Sequence, residues 1–226
     1  MQITYYGHSC FSVVAGGKTL LFDPFISENE LAKHINLNEI KADYIFVSHG
    51  HVDHMLDVAA IANRTGALVV GGWELYEYFG KQGLKNLHPL NPGGTVTFDF
   101  GTVKAVAAQH SSSFPDGTYA GIASGFVFKT ADGNFYYSGD AALALEMTLI
   151  PKWADLNFAV LPIGDVLTMG VEEAIEAAQF VKAGQILGVH YDTFEFIKIE
   201  KPEAIRKFAE SGLKLHLPKI GESLQL

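Results

Sequence analysis

Cysteine is almost missing from this chain: Cys10 is the only one in 226 residues. That excludes an intramolecular disulfide framework and fits a reducing compartment. Basic residues are scarce, 16 against 25 acidic ones, and they form no run, so the net charge is −9. A polybasic membrane patch is excluded and a broad nucleic-acid surface is disfavoured. A small anionic substrate is not excluded, because cations held in a cleft would dominate the local field. No apolar run is long enough to cross a bilayer. The start of the chain carries no cationic stretch followed by an apolar segment, so no signal peptide is read there. Internal repeats, low-complexity tracts and linkers are lacking too. The expectation is a cytoplasmic chain with a small-molecule substrate, no membrane and no nucleic-acid partner.

What is present is core material and turns: 48% of the residues are hydrophobic and 23 are glycine. The length fits one domain over residues 1–226, with a large core and many tight connections. Short strands are predicted at Gln2–Tyr6, Cys10–Val14 and Thr19–Phe22, punctuated by Gly7 and Gly16-Gly17. A short helix is predicted over Glu28–Asn36, a strand over Asp43–Val47 and a helix over Met55–Arg64. Further on, hairpins are predicted around Gly101 and around Ala131-Asp132-Gly133, and a helix over Ala142–Pro151. Val171, Ala174, Ile175, Ala178 and Val181 recur at helical spacing. Strand and helix then alternate, and Pro202 and Gly212 bracket the last helix. This order suits two packed sheets with helices outside.

The densest chemistry lies in Ser48-His49-Gly50-His51-Val52-Asp53-His54, a His-x-His-x-Asp-His pattern between a predicted strand and a predicted helix. Neutral imidazole nitrogens and carboxylate oxygens are the donors that borderline-soft divalent metals prefer. A strand-to-helix loop lets one short stretch face two neighbouring ions. Four more polar residues directly follow apolar strands: His110, Asp140, Asp165 and His190. Strand ends at one sheet edge are where such folds gather functional side chains.

With these residues in order, and with Asp23 closing an early strand, the chain resembles the metallo-β-lactamase superfamily. Gly7-His8-Ser9-Cys10-Phe11, Pro162-Ile163-Gly164-Asp165, Thr168-Met169-Gly170 and His190-Tyr191 are similar to its small metal-dependent hydrolase branch. Ascorbate-phosphate lactonase-like proteins look more distant. The resemblance implies an α+β fold, a four-layer αββα sandwich with the metals at one edge. It further implies that His49, His51 and His110 bind one ion, that Asp53, His54 and His190 bind a second, and that Asp140 bridges them. Asp23 would orient a ligand from behind. His51 stands where the flavodiiron oxidoreductases carry Glu, which favours hydrolysis over oxygen chemistry.

The implied enzyme is a dinuclear hydrolase that uses a metal-bridging hydroxide to cleave an ester, lactone or phosphodiester in a small molecule. Alternatives are a nuclease or cyclic-nucleotide phosphodiesterase, and a non-catalytic metal-stabilised binding protein. Two divalent ions are expected. Zinc suits the donors best, and manganese, iron or nickel could take the same nitrogens and oxygens. Asp53 is a candidate to position the nucleophile or relay a proton. His8 has two readings, a catalytic contact or proton relay at the metals and a structural histidine bonded to a backbone carbonyl. Asp165 and Thr168 either line the cleft or tie their loop. Cys10 reads as a small buried side chain, and His34, His88 and His216 as surface or packing residues. Trp73, Tyr76 and Phe79 read as core. Residues 111–119 form either a mobile rim or a plain hairpin connection.

Overall fold

The computed structural model describes residues 1–226. Three short strands, β1 (Gln2–Gly7), β2 (Cys10–Ala15) and β3 (Lys18–Phe22), make an antiparallel meander. β4 (Tyr44–Phe46), β5 (Leu68–Gly71) and β6 (Leu87–Pro89) extend it in parallel. The connections carry α1 (Val52–Met55), α2 (Val58–Thr65) and α3 (Trp73–Lys81). The second half repeats the plan. β7 (Thr95–Phe98), β8 (Gly101–Ala107), β9 (Ser124–Thr130) and β10 (Gly133–Tyr137) are antiparallel. β11 (Phe158–Pro162), β12 (Gln185–Val189) and β13 (Lys214–His216) follow in parallel, with α4 (Val171–Phe180) and α5 (Lys201–Glu210) between them. β14 (Ser223–Gln225) returns to pair with β1, so both sheets have seven strands.

Side-chain alternation explains the layering. Phe11, Leu20, Phe22, Phe46 and Val70 point into the space between the sheets, whereas Cys10, Leu21, Ile45, Val47 and Val69 point out towards α2 and α3. Between the sheets the rings interlock. Phe22 meets Phe128 edge-on at 5.4 Å, and Phe46 meets Phe128 at 4.9 Å. Each ring fully removed from water contributes about 1.5–3 kcal/mol, and the edge-on geometry adds to that. On the far side Ala174, Ala177 and Ala178 of α4 and Phe208 of α5 cover the second sheet, whose strand β11 is buried at every residue. The result is the α+β, αββα sandwich. No helix is long and apolar enough to cross a membrane.

Several local expectations are corrected. Glu28–Asn36 holds only a 3₁₀ turn at Glu30–Ala32, and Leu145–Lys152 is 3₁₀ where an α-helix was expected. The helix expected over Met55–Arg64 is split into α1 and α2 at Asp57. The Asp57 carboxylate accepts from the Ile26 and Ser27 N–H groups at 2.6 and 2.9 Å, which pins the break to the loop after β3. Phe79 is core, but Trp73 is 51% exposed and Tyr76 only half-buried, because Leu75 and Phe79 define the buried stripe of α3. Strands β13 and β14 were not predicted; each is three residues long and exists by pairing with a distant neighbour.

Candidate metal centre

Strand direction gathers the site. β1 and β3 run the same way because β2 is antiparallel to both, and β4 is parallel to β3. By the same reasoning β8, β10, β11 and β12 are co-directional in the second sheet. His8, Asp23 and the His49–His54 loop therefore leave one edge of the first sheet. His110, Asp140, Asp165 and His190 leave one edge of the second. His8, Asp23 and His190 each hold the left-handed conformation, with φ of 53°, 39° and 56°. Non-glycine residues in that region cost free energy and persist where the surrounding structure over-determines them. Here the sharp turn out of the strand aims each side chain at the centre.

The donors fall into neighbouring groups. His49, His51 and His110 form one, and His8, Asp53, His54 and His190 another; within each, one donor atom per residue lies within 4.8 Å of all the others. Asp140 stands between them: its Oδ2 is 3.1 Å from His54 Nε2, 3.0 Å from His190 Nε2 and 3.7 Å from His110 Nε2. Asp165 is not brought in. It is exposed, its carboxylate accepts from the Val166 N–H at 2.6 Å, and its own N–H bonds Met169 O at 3.1 Å. Thr168 Oγ1 also turns back on Met169 O, so both residues tie their loop.

Asp23 is the anchor behind the centre, fully buried. Its carboxylate accepts from Ser48 N at 2.7 Å, Ser48 Oγ at 2.5 Å, Tyr137 OH at 2.6 Å and His54 Nδ1 at 2.8 Å. Ser48 Oγ also lies 2.9 Å from His49 Nδ1. With the proton of each imidazole held on Nδ1, the Nε2 lone pairs of His49 and His54 face the centre. Burial and the Asp23 charge push the Tyr137 phenol well above its usual range, so it stays a donor.

His8 bonds to side chains on both ring nitrogens. Its Nε2 lies 3.0 Å from Asp53 Oδ2 and its Nδ1 3.0 Å from Thr193 Oγ1, and its side chain is fully buried. Neither ring nitrogen reaches a backbone carbonyl. Burial, with His190 and His54 beside it, lowers its pKa to about 4, against the opposing pull of Asp53. Neutral His8 therefore donates from Nε2 to Asp53 and accepts at Nδ1 from Thr193. Burial opposes the charge of Asp53, but the hydrogen bond from His8 and the neighbouring His54 outweigh it, so the carboxyl pKa is lowered. Thr193 and Tyr137 were missed from sequence: Thr193 follows His190 by three residues with no local signal, and Tyr137 looked like any strand aromatic.

The residues fit divalent cations. Asp140 Oδ1 is buried and has no hydrogen-bond partner, a costly state for a group inside a fold. Burial lowers the pKa values of His49, His51 and His110, leaving neutral donors. Burial alone would do the same to His54, yet Asp140 and Asp23 outweigh it and raise its pKa well above the usual range. The same carboxylates that favour a proton on His54 favour a divalent ion beside it.

The remaining candidates stand outside. Cys10 is buried on β2, while exposed His34 bonds Ile220 O at 3.2 Å and half-buried His216 lies 3.3 Å from Gln185 Oε1. Residues 111–119 are a pinned connection: Phe114 stacks on Tyr78 at 4.2 Å, and its N–H bonds Thr118 O at 2.8 Å.

Comparison with known proteins identifies the family and the fold. Residues 2–190 match the family described as the beta-lactamase superfamily domain. The chain is 49% identical over 226 residues to a UPF0173 metal-dependent hydrolase of Flavobacterium johnsoniae, covering 100% of both chains. Among solved structures it is similar to Igni18, a metallo hydrolase of the archaeon Ignicoccus hospitalis, at 30% identity and TM-score 0.89, covering 99% of this chain and 97% of that one. An isothiocyanate hydrolase from Delia radicum gut bacteria shares the fold at 19% identity and TM-score 0.82, covering 100% of this chain and 99% of that one.

Proposed function

This chain belongs to the β-lactamase superfamily and is a metal-dependent hydrolase, and on that premise we propose that residues 1–226 act as one domain that binds two metal ions and hydrolyses an ester, lactone or phosphodiester bond of a small molecule. His49, His51 and His110 would hold one ion and Asp53, His54 and His190 the other, with Asp140 placed to serve both. The imidazole-rich donor set suits zinc, with manganese, iron and nickel as alternatives. The observation that carries the reading is the junction at Asp140, whose Oδ2 reaches histidines of both groups while its buried Oδ1 lacks a partner.

When bound, such a pair of ions supplies Lewis acidity, lowering the pKa of water and polarising the scissile bond. The rest of the chemistry falls to the chain. The Asp53 side chain is partly exposed, at 18%, and can take a proton from the nucleophile and return it to the leaving group. His8 is a positioning residue: buried, it acts through Asp53, fixing the carboxylate with one nitrogen while Thr193 fixes its own ring through the other.

Elemental analysis of protein purified without chelator or added metal tests the reading. About two equivalents per chain are expected. One equivalent that survives dialysis would remove the bridging role of Asp140. No metal, with none added back, would overturn the mechanism. His51→Ala should lower metal content and abolish hydrolysis in a chain that remains folded, since His51 is only half-buried.

A further inference from the structure

The loops that leave the sheet edges at the candidate metal centre carry exposed apolar side chains and contribute no Lys or Arg of their own. Val52, between His51 and Asp53, is exposed, as are Ile122, Leu145, Val166, Leu167 and Phe196 at 61%, 75%, 68%, 45% and 56%. Exposed single apolar residues are ordinary, but a group on connected loops around one site is not. The loops are tied to the donors. Met169 N–H bonds Ala141 O at 3.0 Å, joining the Val166–Leu167 turn to the residue after Asp140. A Cβ on Gly164 would come 2.1 Å from His190 O, so the same loop runs hard against the last histidine. Phe194 meets the His8 ring edge-on at 5.4 Å, and Phe196 stacks on Phe194 at 5.9 Å, so an aromatic shelf runs outward from the His8–Asp53 pair.

Val166 is the sharpest feature. A β-branched residue with φ of 61°, it follows Asp165 at the same angle. That conformation is a genuine outlier for valine and carries strain. The fold keeps it while leaving the side chain in solvent, so burial does not repay the cost. Charge points the same way. The segments 48–57, 109–123, 139–149, 163–170 and 188–197 contain no Lys or Arg, and their charged residues are all acidic. The next lysines along the chain, Lys198 and Lys201, are engaged by Glu195 at 2.5 Å and Asp192 at 2.8 Å. Within these loops a phosphodiester would find no fork or ammonium for its non-bridging oxygens; the neighbouring lysines, Lys201 and Lys219, line a separate small pocket behind His8 and Thr193, where Lys201 is paired with Asp192 at 2.8 Å.

We propose that this rim selects an uncharged substrate with an apolar acyl side, a medium-chain carboxylic ester or lactone, whose chain lies against Val166, Leu167 and the Phe194–Phe196 shelf. This rests on the hydrolase reading above and narrows it.

The test uses the metal-loaded protein and two series. p-Nitrophenyl acetate, butyrate and hexanoate are compared with bis(p-nitrophenyl) phosphate, which shares the leaving group. Acetohydroxamate, butyrohydroxamate and hexanohydroxamate, which bind without turnover, are titrated calorimetrically. Burial of each methylene on a partly open rim should tighten binding about two- to fourfold, or about 15-fold or more from acetyl to hexanoyl. Hexanoate should exceed the phosphodiester in kcat/KM. Phe196→Ser and Val166→Ser should flatten the hydroxamate slope. A flat slope in the unaltered protein, or a phosphodiester hydrolysed as well as hexanoate, would overturn the proposal. So would rim variants that shift a monomer–dimer equilibrium in sedimentation and leave the slope intact, since the rim would then be a self-association face. A steep hydroxamate slope with no ester turnover would count against the hydrolytic reading and leave the apolar rim standing.

Discussion

Replacing Asp23 with Asn tests whether the centre is held from behind. The carboxylate accepts four hydrogen bonds, three of them on Oδ2, and is fully buried. Asn is nearly isosteric but has one acceptor oxygen. With its oxygen in the Oδ2 position, its NH₂ faces the Ser48 N–H, and one buried donor loses its partner. Turned the other way, three donors do. The first orientation wins, and the unmet Ser48 N–H then costs about 1–3 kcal/mol. Domains of this kind are stable by about 5–15 kcal/mol, so the variant stays folded. His54 would donate to a neutral amide instead of a carboxylate, which lowers the basicity of its Nε2 and loosens its ring. Loss of such a supporting partner weakens metal affinity about 10–100-fold, equivalent to about 1.4–2.7 kcal/mol. The assay is competition against a fluorescent chelator for wild type and Asp23→Asn, with urea melts of the metal-free proteins alongside. An affinity within twofold of wild type would refute the idea that Asp23 orients the donors. A change in melting alone would confine its role to folding.

Three further outcomes follow from the same geometry. His8→Ala should retain both metals yet lower kcat more than it raises KM and shift the acid limb of the pH profile, with His8→Gln restoring part of the loss by donating to Asp53; metal loss in the alanine variant would make His8 a ligand instead. The metal-free protein should lose stability as pH falls from 7 to 5. His8, His49, His51 and His110 are held below their ordinary range and so take up protons only on unfolding below about pH 6.5. His54 works in the opposite sense, its contribution being complete below that pH and lost as pH rises through its elevated folded pKa, and one group does not reverse four; a urea midpoint that rises towards pH 5 would contradict this. Gly50→Ala should cost about 1–3 kcal/mol through overpacking, because its Cβ would lie 2.3 Å from the Ala120 Cβ. Metal content should fall as His49 and His51 move apart, and an unchanged thermal midpoint with full metal would refute the close approach.

Local chemistry was readable without coordinates. The His49–His54 loop packs its donors into six consecutive positions, and any strand-to-helix turn keeps such neighbours close. The short apolar runs of β2 and β3 between glycines, the hairpins at Gly101 and Gly133, and the spacing along α4 were likewise written in short windows. They depend on interactions between residues a few positions apart, which composition and periodicity report directly.

Tertiary structure decided what depends on residues far apart in the chain. The partnership of His8 with Asp53 spans 45 positions and that with Thr193 spans 185, so no window of sequence contains it. The break between α1 and α2 comes from Asp57 reaching back to Ile26 and Ser27, where propensity alone favoured one helix. Trp73 lies outside the core although its helical spacing suggested otherwise, because burial is set by which stripe meets the sheet. β14 pairs with β1 only after the whole chain has closed on itself. Sequence alone determined the donor types and the layered plan. The mutual placement of those donors, and the apolar rim around them, came from strand direction and long-range packing, whose energy exists only once the fold is formed.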